Sequence, residues 1–131
     1  MPFDGTVPVD RKPDHFPALL CLIKARELIK KKHNWCKGRL TRNSFCGRRP
    51  QSYCGVGAVF KAAKILKIKV IYRDIAIDFL DEVARHHGYI EFIDFNDDDK
   101  TTHKQVIAAI DDAVDFLVAA TDALELIPEK V

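Results

Sequence analysis

Glycine and proline are scarce in this chain, six of each in 131 residues, and neither gathers into a tract. That composition excludes collagen-like, low-complexity and disordered classes, which all need far more of one or both. Long hydrophobic runs are absent as well. The longest, Phe16 to Ile23, spans eight residues, against the roughly 20 that a membrane-spanning helix requires. Met1 to Pro13 holds acids and prolines and no basic stretch leading into an apolar core, so a cytoplasmic chain with no membrane partner is expected. Cysteine is limited to Cys21, Cys36, Cys46 and Cys54, which in that setting are expected as reduced thiols and not as a disulfide framework. The cofactor signatures are missing too. Cys54 to Ala58 contains glycines but neither Walker nor dinucleotide spacing, and Asn96 to Asp99 is acidic without the glycine turn and distal Glu of a calcium loop. No cofactor and no metal are expected. No internal repeat is visible.

What is present is an ordinary globular balance, 47% hydrophobic and 31% charged, sized for one domain. We expect a flexible arm over residues 1–13, a single helical domain over 14–127 and a frayed tail over 128–131. Ala18, Cys21, Leu22, Ala25, Leu28 and Ile29 lie on one stripe at helical spacing, predicting a first helix capped by Asp14 and running to about Lys32. Val56, Val59, Phe60, Ala63 and Leu66 predict a second helix from near Ser52, with Lys61 and Lys64 turned away from the core. Asp74 is placed as the cap of a third, with Ile68 to Tyr72 a connection before it and an Asp81–Arg85 pair at i,i+4 within it. Tyr89 to Phe95 is read as helical. Thr102 and Gln105 form a capping box for a last helix that buries Val106, Ile110, Ala113 and Leu117. The fold class is therefore all-α, a compact bundle of four to five helices, with His33 to Tyr53 as one long ordered loop containing a short helical turn.

Charge divides sharply along the chain. Residues 1–73 hold 17 Lys and Arg against 4 Asp and Glu, and residues 74–131 hold 4 against 15, so the halves are +13 and −11. Two readings stand. Either the halves neutralise each other through surface pairs of small individual worth, or the basic half presents a positive face to phosphates.

Three constellations bear chemistry. Cys54 at a helix N-terminus meets a positive dipole end, the setting in which a thiolate is favoured, and His86 or His87 with Asp94 or Asp97 supplies a base and an orienting carboxylate for a cysteine hydrolase or transferase. The opposing reading is a small buried residue at a helix start. Trp35, Arg39, Arg42, Arg48 and Arg49 interleave an aromatic with guanidinium groups, a surface suited to nucleotide or nucleic acid, unless Trp35 plugs the core. His33, Cys36, Cys46 and Cys54 are zinc-compatible in type but not in spacing.

The order Trp35 with Gly38, then Arg42, then Cys54-Gly-Val-Gly-Ala58, then Phe95-Asn-Asp97, then Thr102-His-Lys-Gln-Val106 resembles an uncharacterised bacterial and phage family. Its members read W-x-x-G, Arg, C-x-x-G-A, W-N-D and T-x-x-E-V. Phe95 stands where that family has Trp, and Gln105 where it has Glu. The resemblance implies an intact fold and names no substrate; Arg42, Asn96, Asp97 and Thr102 either converge near Cys54 as a shared site, or Asn96, Asp97 and Thr102 serve as helix caps. The leading expectation is a binding module for an anionic ligand, nucleotide or nucleic acid. A Cys54 enzyme and a phage or bacterial protein-interaction module are the alternatives.

Overall fold

Five helices and one pair of two-residue strands account for the regular structure in the computed structural model, which describes residues 15–42 and 52–126. The expected terminal arm and tail, Asp14, Cys46, Arg48 and Arg49 lie outside the described residues. Helix α1 is Phe16–Leu28, followed by a 3-10 turn at Lys32–Asn34. Strand β1 (Thr41–Arg42) pairs antiparallel with β2 (Ser52–Tyr53), Thr41 opposite Tyr53. Then come α2 (Gly55–Leu66), α3 (Val70–His86), the short α4 (Phe92–Asp97) and the long α5 (His103–Leu126). The fold is an all-α bundle.

Helix α1 is central, packing against α2, α3 and α5. It can serve three neighbours because its buried residues, Ala18, Cys21, Leu22 and Ala25, are mostly small and let backbones approach. Helix α2 answers with Ala58, Val59, Ala62 and Ala63, α3 with Ala76, Leu80, Val83 and Ala84, and α5 with Val106, Ala109, Ile110, Ala113 and Leu117. The capping box of α5 forms as expected: Gln105 N–H donates to Thr102 Oγ1 at 3.2 Å and Thr102 N–H to Gln105 Oε1 at 2.9 Å.

Four local expectations are corrected. Helix α1 is capped at His15 and ends at Leu28, where Ile29 leaves helical geometry. The second helix starts at Gly55, because Ser52 and Tyr53 are drawn into strand pairing; Tyr53 also bridges Trp35 in parallel. The third helix starts at Val70 with Lys69 as its N-cap, so Asp74 lies inside it, against Arg73. Arg85 pairs with Glu82, while Asp81 accepts the Phe92 N–H at 2.8 Å and caps α4. A cap contributed from another helix leaves no mark in the local sequence.

Candidate functional site

Where the loop after α1 meets the starts of α2 and α4, the structure builds a polar clasp around Asn96. This side chain is fully buried. Its Oδ1 accepts from Trp35 Nε1 at 2.8 Å and from Gly55 N–H at 3.0 Å. Its Nδ2 donates to the Cys36 carbonyl at 3.1 Å and to Asp97 Oδ1 at 2.9 Å. Two accepted and two donated bonds exhaust an amide side chain. Asp97 Oδ1 also accepts the Gly38 N–H at 2.9 Å, which holds that residue at φ 81°, a conformation suited to glycine. Lys37 lies 5.5 Å from the centre of the Trp35 ring and donates to the Asp98 carbonyl at 2.6 Å.

Cys54 is the N-cap of α2, and its Sγ accepts the Gly57 N–H at 3.3 Å. The helix start meets the thiol as anticipated, but burial pushes the Cys54 pKa up, outweighing the downward pull of the Gly57 and Val56 N–H groups, and the Asp97 charge adds to the rise. Only 2% of the residue is exposed. Burial likewise raises Cys36, against the downward pull of Arg42, whose side chain bonds it. His86 lies at the exposed end of α3, with its Nε2 3.6 Å from Glu82 and its ring edge-on to Phe116. His87 stacks on Phe95. The structure thus brings together Trp35, Cys54, Asn96 and Asp97, with Arg39 beside them. His86 keeps other company, and Thr102 spends both its hydroxyl and its N–H on the α5 cap.

Two concavities flank the start of α2. A small one of about 210 Å³ is lined by Gly38, Arg39, Leu40, Cys54, Ile93 and Asp97. The larger, a groove of about 340 Å³, runs between β1–β2 and α2 and is lined by Leu40, Thr41, Tyr53, Gly57, Phe60, Lys61 and Lys64. Leu40 lines both, and Gly57 lies against it on the groove side. A Cβ there would stand 1.9 Å from the Leu40 carbonyl oxygen, which itself accepts the Cys54 N–H at 3.0 Å. Arg73 covers one side of Phe60 with its guanidinium 4.5 Å from the ring centre.

Sequence reasoning missed the groove. Its lysines are separated by three positions, so they share one face of α2, and that spacing was the available signal. Nothing local announced that a strand pair would rise alongside to make the face concave. Among the described residues no group of three potential metal ligands gathers, and none of the helices is long and apolar enough to cross a membrane.

No curated protein and no solved structure matches the chain. A family model does, across residues 15–116, and it takes in the clasp, both concavities and the α5 cap. The chain belongs to that family, DUF6197, a family of unknown function.

Proposed function

We propose that this protein is a small cytoplasmic module that binds an anionic ligand, a nucleotide or nucleic acid, in the groove between β1–β2 and α2. The observation that carries the reading is the groove's lining. It pairs two lysines with Thr41, Tyr53 and Phe60, and contains no carboxylate. Ammonium groups one helical turn apart suit phosphates, and the apolar wall suits a base or ribose face. Charge elsewhere reinforces this. Among the described residues, only Arg26–Asp111 and Arg73–Asp74 join a cation of residues 1–73 to an acid of the other half, so most of the positive field remains unspent. Arg39 and Arg42 are exposed and extend that field along β1. Trp35 and Asn96, by contrast, use their polar atoms inside the fold.

A cysteine-dependent reaction at Cys54 draws less support, because a reactive thiol needs a depressed pKa and access, and this one has neither. The binding reading is tested by titrating a labelled single-stranded oligonucleotide and a nucleoside triphosphate at low and high salt. We expect affinity to fall with salt, and Lys61→Ala/Lys64→Ala to bind more weakly, with the salt slope reduced by about 1.4 for a single strand. Lys64 is exposed, Lys61 is half-buried, and neither makes an ion pair among the described residues, so the variant should keep its stability within about 0.5 kcal/mol. Absence of binding to either probe at low salt would remove the proposal.

A further inference from the structure

The end of α2 and the start of α3 form a corner that combines cations with exposed aliphatic side chains. Residues 65–73 include Lys67, Lys69 and Arg73 and no carboxylate. Interleaved with them are four aliphatic residues that the fold leaves in water: Ile65 at 44% exposure, Leu66 at 39%, Val70 at 56% and Ile71 at 63%. Scattered apolar side chains on a surface need no explanation, but these four fall within residues 65–71 at two successive helix ends, and apolar groups concentrated in that way mark contact sites.

The turn itself adds a second observation. Lys67 N–H bonds the Lys64 carbonyl and Ile68 N–H the Ala63 carbonyl, with Lys67 in the left-handed region at φ 56°. This is the closing turn that glycine makes free of strain. Lys67 is the one described non-glycine residue with positive φ. A cation is kept at the tip where local backbone preference favours none, and such violations of local rules concentrate at functional positions.

We propose that this corner docks on the surface of an anionic phospholipid bilayer, a role beyond the groove. The aliphatic side chains enter the headgroup boundary, and the lysines lie over them with their ammonium groups at the lipid phosphates. Lysine does this well, since its stem covers apolar surface while its head stays wet. The composition favours a membrane over a protein partner. Protein interfaces are depleted in Lys and enriched in Trp, Tyr, Phe, Met and Arg, whereas the exposed tip has lysine with Ile, Leu and Val, and its one arginine is engaged by Asp74 and Phe60. The contact proposed is peripheral, and it departs from the expectation of no membrane partner, which rests on the lack of a long apolar run and not on this corner.

The test is co-sedimentation of the full chain with vesicles of phosphatidylcholine alone and of phosphatidylcholine and phosphatidylserine in equal parts, at low and high salt. We expect binding only to the anionic vesicles, reversed by salt. Lys67→Gly relieves the positive φ and keeps the fold, and should weaken binding about fivefold through its lost charge. Val70→Asp/Ile71→Asp places acids in the first turn of α3, where they suit the helix end, and should weaken binding tenfold or more, to about the level expected without the aliphatic contact. No sedimentation with anionic vesicles at low salt overturns the proposal. So does undiminished binding by the Asp variant. A chain that ignores vesicles but self-associates through the corner, losing that association in the Asp variant, would assign the surface to contact between copies and also overturn it. Oligonucleotide binding reads the groove independently, so either proposal can fail alone.

Discussion

The clasp and the groove lie near each other at the start of α2 and differ in how their polar groups are used. In the clasp, Asn96 fills every hydrogen-bonding position it has, Asp97 holds Gly38, and Trp35 and Gly55 are anchored on the same amide oxygen. In the groove, Lys61 and Lys64 make no ion pair among the described residues. Saturated polar groups rigidify a fold, while unsatisfied cations on a concave surface remain available to a ligand. The motif residues that first suggest a site therefore mostly build its frame, and apart from Gly57 the groove is lined by residues outside the motifs.

The comparison breaks most visibly at Asn96. Asn96→Ala strands the Trp35 Nε1–H, the Gly55 N–H and the Cys36 carbonyl together, and should lower unfolding free energy by about 4 kcal/mol in urea titration. A loss near that of an exposed residue would mean that water replaces the amide and that the clasp is not structural.

Gly57→Ala strikes the contact between α2 and Leu40, the residue that lines both concavities. Its new methyl meets backbone, not a flexible side chain, so about 3 kcal/mol should be lost, together with any groove binding. Retained oligonucleotide affinity in the folded fraction would show that the groove tolerates a shifted β1.

A smaller effect comes from the thiols beneath the site. Burial pushes Cys21 from an ordinary 9.0 up to about 11 and raises Cys54 in the same direction. Both are neutral in the fold at a pH where the unfolded chain ionises them, so their contribution is complete below pH 9.0 and declines as pH climbs through the folded values. Tm should therefore fall between about pH 9 and pH 11. A flat profile would mean that the thiols are more open than the geometry indicates. The groove side carries the smallest effect on stability, the near-silence of Lys61→Ala/Lys64→Ala.

The helical frame was largely legible in the sequence. The stripes of α1, α2 and α5 were visible because each repeats over three or more turns, and the Thr102–Gln105 cap because both partners sit three residues apart. The start of α3 was not. Val70 and Ile71 stay exposed and show no inward periodicity, while Asp74 looks locally like a cap. Asp81 looks locally like a partner for Arg85 at i,i+4, because the group it does bond, the start of α4, belongs to another helix. Asn96 and Asp97 were noted in sequence, yet their roles depend on partners 41 to 61 residues away. The β1–β2 pair, two residues per strand, is too short for alternation to declare itself.

One feature of the clasp bears on how the chain comes together. The first amide of α2 is satisfied by a side chain 41 residues further along, so an emerging amino-terminal portion has a helix whose leading N–H still lacks its acceptor. Order around Trp35, Gly38 and Cys54 then waits on the arrival of α4, which ties the loop after α1 and the start of α2 to a later helix and leaves little room for a half-built site.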